Sequence, residues 1–492
     1  MEIELNSPLP ARKVENPSPL DKLGDLPLTG EAKQNSINDI GEENKKTIKK
    51  FDPKFIIFGI IGILVVVLLV ILIPKLTKKP EKVTLNYWGM WENEAVINAA
   101  IAEYEAKNPN VTIKYTKKSQ ENYRTVLQSR LMNGASEDEV PDIFRIHQSW
   151  MPMFSDLLAP VPAATAKTIG LDDDFFEVYK KTIKSRSNYL AVPIMYDGLA
   201  LFYNKDLLNS AGINPPRSWW ELESAAKKLT VRDENDRILV AGAALGLTDN
   251  VDHWSDILGL MLQQGGVDPT DSAATKKMSD VLTYYTLFFS KHKVWDDTLP
   301  YSTKAFAEGK LAFYFGPSWR VFDIEEMKKN GLNYEITSVP QLSTSENVSL
   351  DSTDANLTNV HWASFWVEAV NAKSSKQKEA WKFLEYLASK ESLEKMFTAA
   401  SQIRTFGEIY PRVSMINEME TNPKTKGFVK GAENASSWYL CSRTFDSDGI
   451  NEEMARYFGN AINETITKGA VDEAVMTNLT NGIKQLKEKY KI

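Results

Sequence analysis

The pattern of apolar and polar positions predicts alternating strands and helices after residue 82. Apolar side chains occupy every second position of residues 83–87, as in a half-buried strand. They recur every three or four positions over residues 96–104, which predicts an amphipathic helix that ends at Asn108 and Pro109. The strand period returns over residues 111–115. This strand–helix–strand order predicts a parallel sheet with helices on its faces.

The same reasoning predicts further elements along the chain. They are a strand over 141–146, a hairpin over 231–240, a helical segment over 251–289, a strand over 334–340, an apolar strand over 362–370 and a mostly helical last hundred residues. Two capping boxes mark helix starts, one from Ser218 to Glu221 and one from Ser374 to Gln377. The globular part is therefore of the α/β class.

The first 82 residues have a different character. Residues 1–54 are polar and lack any sustained period, so we expect a disordered tail on the cytoplasmic side. Phe55 to Ile73 contains no charged residue and is long enough to cross a bilayer, which predicts a single transmembrane anchor over 55–74 that is not cleaved, followed by a linker over 75–82. The lysines around this span favour a cytoplasmic N-terminus and an extracytoplasmic globular part.

Size and composition exclude several classes of protein. A chain of 492 residues exceeds the usual size of one hydrophobic core, so two or more lobes are expected. The net charge of −7 argues against nucleic acid as a partner. The single cysteine, Cys441, cannot form an internal disulfide, and neither it nor the four histidines have metal-ligand spacing. We expect neither a cofactor nor a metal ion, and we interpret the carboxylates of residues 172–174 and 446–449 as capping or turn residues.

One apolar stretch, residues 188–208, holds a single carboxylate that a fold must accommodate. Asp197 lies between Tyr196 and Gly198 in a run rich in aliphatic and aromatic residues. Such a residue either faces a cavity that a polar ligand can fill or sits in a solvated Asp-Gly turn. Because α/β-patterned sequence flanks it on both sides, we favour a crossing between two lobes, where ligands commonly bind.

Five motifs in a fixed order make residues 83–492 resemble a known family. They are YWGMW at 87–91, PDI at 141–143, VPIMYDGLALFYNKD at 192–206, FAEGKLAF at 306–313 with GPSWR at 316–320, and KEAWKFLEYL at 378–387. This set resembles the extracellular solute-binding proteins of ABC importers, in the maltose-binding-protein-like, sugar-binding group. The resemblance implies a two-lobed periplasmic-binding-protein-like fold with a hinge cleft. It divides the chain into a first lobe, 83–196 and 338–398, and a second lobe, 197–337 and 399–492.

The resemblance also implies which residues contact a ligand. Asp197 takes the place of the family's cleft acid, and Trp319 that of a ring that stacks on the ligand. The complete predicted set is Trp88, Trp91, Glu92, Arg145, His147, Gln148, Tyr196, Asp197, Trp254, Trp319, Arg320, Trp362 and Trp438. A tryptophan is more often core packing than a ligand platform, and we interpret Trp220 and Trp381 in that way.

The implied function is capture of a mono- or oligosaccharide by a membrane-anchored monomer, which delivers it to the permease subunits of an ABC importer. Two alternatives stay open. A ligand sensor or adhesion protein could use the same binding fold. A glycoside hydrolase would need two carboxylates facing each other across the sugar, and Glu92 and Asp197 are the candidates. No catalytic motif surrounds either residue, so the sequence favours a binding protein over an enzyme.

Overall fold

The structure, a computed structural model, describes residues 61–64, 66–67, 81–134, 139–328, 331–343, 356–446 and 448–492. The chain forms two compact units, Met1–Lys79 and Pro80–Ile492. In the first unit, residues 61–64 and 66–67 are helical and exposed. The predicted tail, most of the predicted membrane span and residues 75–80 of the predicted linker lie outside the described residues. Within the described ranges, no helix has the length and apolar character needed to cross a membrane.

The strands of the second unit form two larger sheets and two short pairs. In chain order they are β1 (Val83–Gly89), β2 (Val111–Lys117), β3 (Ile143–His147), β4 (Lys184–Ser185), β5 (Asn188–Tyr189), β6 (Ala200–Asn204), β7 (Val231–Arg232), β8 (Ile238–Ala243), β9 (Leu311–Gly316), β10 (Tyr334–Thr337), β11 (His361–Trp362), β12 (Trp366–Val370) and β13 (Ala435–Ser436).

The first sheet has the order β12-β3-β1-β2. Strand β1 pairs in parallel with both β2 and β3, as the strand–helix–strand pattern predicts. Strand β12 returns from far along the chain and pairs antiparallel with β3, with Trp366 opposite His147. Strands β1, β3 and β12 are almost entirely buried because helices cover the sheet.

The second sheet has the order β10-β6-β9-β8-β7. Strands β7 and β8 form the hairpin predicted over 231–240. Strands β8 and β9 are parallel, whereas β6 runs antiparallel to both β9 and β10. All five strands come from residues 200–337, and the strands of the first sheet come from residues 83–147 and 366–370. The lobe boundaries that the resemblance implies stay a prediction.

Helices surround both sheets. In chain order they are α1 (Glu94–Lys107), α2 (Tyr123–Asn133), α3 (Met151–Phe154), α4 (Ala163–Ile169), α5 (Glu177–Thr182), α6 (Lys205–Ala211), α7 (Trp219–Leu229), α8 (Trp254–Gln264), α9 (Thr275–Ser290), α10 (Ser302–Ala307), α11 (Arg320–Met327), α12 (Gln377–Leu387), α13 (Lys390–Ser401), α14 (Ile416–Glu420), α15 (Lys426–Val429), α16 (Ile450–Lys468) and α17 (Glu473–Tyr490).

Two helix predictions need correction. The segment predicted as helical over 251–289 is two helices, α8 and α9, separated by a turn that begins at Gly265 and Gly266. The Ser374 capping box does not form, because α12 begins at Gln377 without a side-chain cap. The Ser374 hydroxyl instead donates to Asp142 Oδ1 at 2.6 Å and thereby ties this loop to the start of β3.

The other capping box forms as predicted. Ser218 Oγ accepts a hydrogen bond from the Glu221 backbone N–H at 3.1 Å, and the Glu221 carboxylate accepts one from the Ser218 N–H at 3.3 Å. We expect Ser218→Ala to lower the free energy of unfolding by about 1 kcal/mol, since it leaves a helix N–H without its partner. Urea denaturation measures this, and the exposed turn variant Ser187→Ala serves as the control. Equal midpoints for the two variants would contradict the expectation.

Three chain segments cross side by side between the two sheets. The first contains residues 192–199, the second begins with β11, and the third begins with β13. Gly198 pairs with Ala363, whose N–H donates to the Ser436 carbonyl at 2.8 Å. A Cβ atom on Gly198 would lie 2.6 Å from the Trp362 carbonyl oxygen, so this close approach requires glycine. The Asp-Gly pair therefore belongs to an interlobe crossing, and it is not a solvated turn.

Candidate ligand-binding cleft

A cavity of about 370 Å³ lies where the crossing segments meet the two lobes. Its walls come from the first sheet, from the loop after β9 and helix α11, from the crossing segments and from the loop before α16. The lining residues are Trp91, Gln120, His147, Met195, Asp197, Gly198, Leu199, Asp256, Pro317, Ser318, Trp319, Phe322, Asp323, Trp362, Ser364, Phe365, Trp366, Arg404, Glu408, Ser442, Arg443 and Phe445. Aromatic rings and charged groups thus surround one space.

Asp197 lies in the wall of this cavity and is half-buried. Its Oδ1 accepts backbone hydrogen bonds from Gly198 at 2.8 Å and from Ser318 at 2.9 Å. Burial raises the pKa of Asp197 to about 7, although these hydrogen bonds pull it down, and the nearby Glu408 contributes to the increase. The carboxyl group is therefore fixed in orientation and takes up or releases a proton near neutral pH.

This raised pKa predicts a pH dependence of stability for the protein without ligand. The unfolded chain releases the Asp197 proton near the ordinary value of about 4, and the folded protein holds it until about pH 7. Asp197 therefore contributes stability that is fully present below about pH 4 and is lost as the pH rises to about 7. We expect the melting temperature of Asp197→Asn to rise relative to wild type across this window, as measured by calorimetry. If the melting temperatures of the two proteins changed with pH in parallel, the prediction would be contradicted.

Four indole rings line the cavity. Trp91 meets Trp366 edge to face with 5.1 Å between ring centroids, and Trp366 meets the His147 ring at the same distance. Trp362 donates its Nε1–H to Asp256 Oδ1 at 2.9 Å, and Trp319 lies at the start of α11 on the second lobe. Trp362 and Trp366 are buried, whereas Trp91 and Trp319 are partly exposed, so one partly open ring on each side of the cavity is placed to stack on a ligand.

The remaining charged groups of the cavity are largely paired with one another or with neighbours. Arg404 Nη2 contacts Glu408 at 2.7 Å, and Asp323 contacts the Arg320 guanidinium at 2.7 Å. Arg443 contacts Asp252, which lies just before α8, at 2.7 Å. Asp197 is held by backbone N–H groups, and among the described residues it forms no salt bridge. Above about pH 7, where Asp197 is ionised, its negative charge is therefore available to the hydroxyl groups of a ligand.

The structure brings five of the thirteen predicted ligand residues together around this cavity: Trp91, His147, Asp197, Trp319 and Trp362. His147 is the most buried of the polar members, and burial lowers its pKa to about 3. Its ring is therefore neutral at physiological pH, and its Nε2 lies 3.2 Å from Ser364 Oγ. Its Nδ1 lies 2.6 Å from Ser149 Oγ, so both ring nitrogens have protein partners and the ring is an uncharged part of the wall.

Arg145 and Glu92, both predicted as ligand contacts, do not line the cavity. Arg145 is fully buried, and its Nε donates to Glu368 Oε1 at 2.7 Å. Its Nη1 is paired with Glu92, whose other oxygen accepts from the Tyr115 hydroxyl at 2.8 Å. The guanidinium lies 5.0 Å from the Trp91 ring centroid. Arg145 thus supports a cavity residue from behind.

Six further predicted residues also lie outside the cavity wall. Trp88 is buried beneath Lys118, whose Nζ lies 3.8 Å from the ring centroid. Arg320 packs on the Trp319 ring and contacts Asp252 and Asp323. The remaining four residues contact other parts of the protein. Gln148 donates to Ser437 Oγ, and Tyr196 packs on Phe176. Trp254 packs near Gly459 of α16, and Trp438 packs on Phe458.

Several lining residues were absent from the sequence-based set. Trp366 could have been found, because it follows Trp362 and Ser364 at two-residue spacing in the predicted apolar strand. Arg404 and Arg443 carried no such signal, since they follow helices or irregular segments of the last hundred residues. Only the long-range path of the chain brings them to Asp197.

The aspartates considered as turn residues have partners of their own. Asp174 accepts from Arg412 Nη1 at 2.8 Å and from the Ser414 backbone N–H at 3.0 Å. Asp446 is bonded to Arg124 Nε at 2.6 Å. Among the residues that the structure describes, no group of three or more acidic, histidine or cysteine side chains could hold a metal ion.

Comparison with known families decides what kind of protein has this cleft. The profile of the bacterial extracellular solute-binding protein family matches residues 91–394. The chain belongs to this family. It is a binding protein rather than an enzyme, and it has the maltose-binding-protein-like α/β fold of two lobes, as the motifs predicted.

Relatives and solved structures agree with this assignment. This solute-binding protein is 23% identical over 346 residues to the multiple sugar-binding protein of Streptococcus mutans, an alignment that covers 65% of this chain and 74% of the relative. The sugar-binding protein MalE of Xanthomonas citri has a TM-score of 0.65 at 18% identity and covers 83% of this chain and 98% of its own. The GacH receptor of Streptomyces glaucescens has a TM-score of 0.60 at 20% identity and covers 83% and 99%.

Proposed function

We propose that this solute-binding protein captures a saccharide in its cleft and delivers it, as a monomer, to the permease subunits of an ABC importer. One observation carries the proposal. Four indole rings line the same cavity as the Asp197 carboxylate, which has no cationic partner among the described residues. A sugar ring presents apolar C–H faces to such rings and hydroxyl donors to such a carboxylate.

The size and the charge of the cavity fit this ligand class. A volume of about 370 Å³ falls in the range of about 300 to 1,000 Å³ that is usual for small-molecule sites. Because the arginines of the wall already face carboxylates, neither of them requires an anionic ligand as a partner. Relatives support the same class: GacH was solved with acarbose, and a cyclo/maltodextrin-binding protein was solved with maltotetraose.

The geometry also bears on the hydrolase alternative. The glycoside hydrolase hypothesis requires Glu92 and Asp197 to lie on opposite sides of a sugar. Glu92 is paired with Arg145 and Tyr115 and does not reach the cavity wall. The pair of catalytic carboxylates that a hydrolase would require from these two residues is therefore not assembled.

The direct test is binding of saccharides to the purified full chain. A panel of monosaccharides, maltose, maltotetraose, mannobiose and cellobiose is screened by thermal shift, and each hit is titrated by calorimetry. We expect at least one saccharide to raise the melting temperature and to bind with a single site. Binding of amino acids or peptides but of no saccharide would contradict the proposal.

We further propose that residues 55–74 anchor the protein in the cell membrane, with the N-terminus cytoplasmic and the cleft on the extracytoplasmic side. The uncharged run from Phe55 to Ile73 supports this, as does the extracellular character of the family. Carbonate extraction of membranes and the intact mass of the extracted protein test it. A mature chain that begins near Lys75 would overturn the anchor.

A further inference from the structure

A chain of hydrogen bonds connects two of the four indole rings of the cavity. It runs from His253, the residue before α8, through Ser442 in the loop before α16 to Asp256 in the first turn of α8. His253 Nδ1 lies 2.8 Å from Ser442 Oγ, and Ser442 Oγ is hydrogen-bonded to Asp256 Oδ2. His253 and Asp256 are 1% and 4% exposed, so water is largely excluded from these bonds.

The chemistry of the partners fixes the direction of each bond. Arg320 Nε lies 3.0 Å from His253 Nε2, and because a guanidinium only donates, Nε2 accepts. Burial lowers the pKa of His253 and outweighs the opposing effect of Asp256, so the ring is neutral and carries its one proton on Nδ1. Nδ1 donates that proton to Ser442 Oγ, whose own hydrogen goes to the Asp256 carboxylate. The two ring nitrogens of His253 therefore have different roles.

Trp319 lies at the Arg320 end of this chain. The Arg320 guanidinium lies 4.4 Å from the centroid of the Trp319 ring, and the His253 ring meets the same indole edge to face with 5.7 Å between centroids. The Arg320 Nη1 and Nη2 groups contact Asp323 at 2.7 Å and Asp252 at 3.2 Å, whereas its Nε donates to His253. The orientation of this partly open ring thus depends on the bond between Arg320 and His253.

Trp362 lies at the other end of the chain. Its Nε1–H donates to Asp256 Oδ1 at 2.9 Å, and the Ser442 backbone N–H donates to the same oxygen at 3.2 Å. Because Trp362 belongs to β11, the network joins the second crossing segment to the loop before α16 and to the ring at the start of α11.

We propose that His253 is a positioning residue for ligand binding, which acts through Arg320 on the orientation of the Trp319 ring. The inference rests on the proposed function, because this orientation matters to a ligand that stacks on the ring. His253 does not line the cavity, so it acts without touching the ligand. Affinity depends mainly on the Nε2 acceptor, which holds Arg320, and less on the Nδ1 donor, which holds Ser442.

Two substitutions of His253 separate its ring nitrogens. The amide of His253→Gln reaches the position of Nε2 and accepts from Arg320, whereas the shorter amide of His253→Asn reaches only that of Nδ1. Titration calorimetry on the full chain uses glucose, maltose, maltotetraose, mannobiose and cellobiose as probes. For each sugar that binds the wild type, we expect His253→Asn to weaken binding about tenfold and His253→Gln less than about threefold.

His292→Asn is the matched control. His292 has a side chain that is 9% exposed, and its Nε2 lies 3.2 Å from Glu223, outside the cavity wall. This variant should leave every affinity unchanged. An equal loss in His253→Asn and His253→Gln would overturn the role of the Nε2 acceptor.

A double-mutant cycle with Trp319→Ala distinguishes positioning from a general loss of structure. Without the indole that His253 positions, we expect His253→Asn to weaken binding less than about twofold. A tenfold loss in both backgrounds would overturn the inference and leave saccharide binding in place. If His253→Asn does not fold, Arg320→Lys removes the same bond from the other side, keeps the charge and should show the same dependence on Trp319. If none of the probes binds the wild type, the proposed function fails for these glycans and the role of His253 falls with it.

Discussion

Asp197→Ala is expected to weaken saccharide binding by about 1.5 to 3 kcal/mol, roughly a tenfold to hundredfold loss of affinity. The carboxylate lies in the cavity wall, and the Gly198 and Ser318 backbone N–H groups fix its direction. At pH 8, above its pKa of about 7, a ligand hydroxyl that donates to it therefore forms a charge-assisted bond shielded from water. Titration calorimetry with the best saccharide of the panel measures the loss.

Two further variants separate charge from structure in this experiment. Asp197→Asn keeps the shape and removes the charge, so we expect an intermediate loss of affinity. Asp156→Ala removes an exposed aspartate outside the cleft and should leave affinity unchanged. If Asp197→Ala stays folded and binds as tightly as wild type, Asp197 does not contact the ligand.

Arg145→Met is expected to have the largest effect on stability, a loss of about 3 to 5 kcal/mol in the free energy of unfolding. Arg145 and Glu368 are both fully buried, and Glu368 would keep a carboxylate without a cation beside it. Glu92 would lose its partner as well. Urea denaturation monitored by circular dichroism measures the change.

The control for Arg145 is an arginine whose ion pair is exposed. Arg130 contacts Glu139 at 3.1 Å, with about half of each side chain open to solvent. Because water screens such a pair, Arg130→Met should cost less than about 1 kcal/mol. Equal denaturation midpoints for the two variants would show that the buried ion cluster does not stabilise the first lobe.

Asp197→Ala is expected to change ligand affinity, whereas Arg145→Met is expected to change stability, because the two residues lie at different depths of the cavity wall. Asp197 faces the cavity, whereas Arg145 lies behind Trp91 and supports it. We therefore expect Arg145→Met to weaken binding only through the position of Trp91. A fluorescence change of the tryptophans in the absence of ligand would accompany it.

Local sequence determined the elements that depend on neighbouring residues. The apolar period of residues 83–115 gave the strands and the helix of the first sheet in the right order, and Ser218 with Glu221 gave a true helix start. These features follow from side-chain direction and from backbone groups within four residues, so no distant contact is needed to specify them. The Ser374 capping box did not form because the helix begins only at Gln377; the Ser374 hydroxyl accepts from the Lys376 N–H at 3.0 Å and donates to Asp142, which is far away in the chain.

The ordered motifs also determined the family and the place of Asp197, since an isolated carboxylate in an apolar crossing has few structural solutions.

Tertiary structure alone decided on which side of the cavity wall each polar residue lies. Arg145 lies in β3 and meets Glu368 of β12 across 223 residues of sequence, which turns a predicted ligand contact into a buried support. Arg404, Arg443 and Phe445 reach the cleft because the last part of the chain, after α13 and before α16, passes beside the crossing segments. Sequence periodicity fixes which face of an element is apolar, but the partner of a charge depends on which elements meet, and only the folded chain determines that.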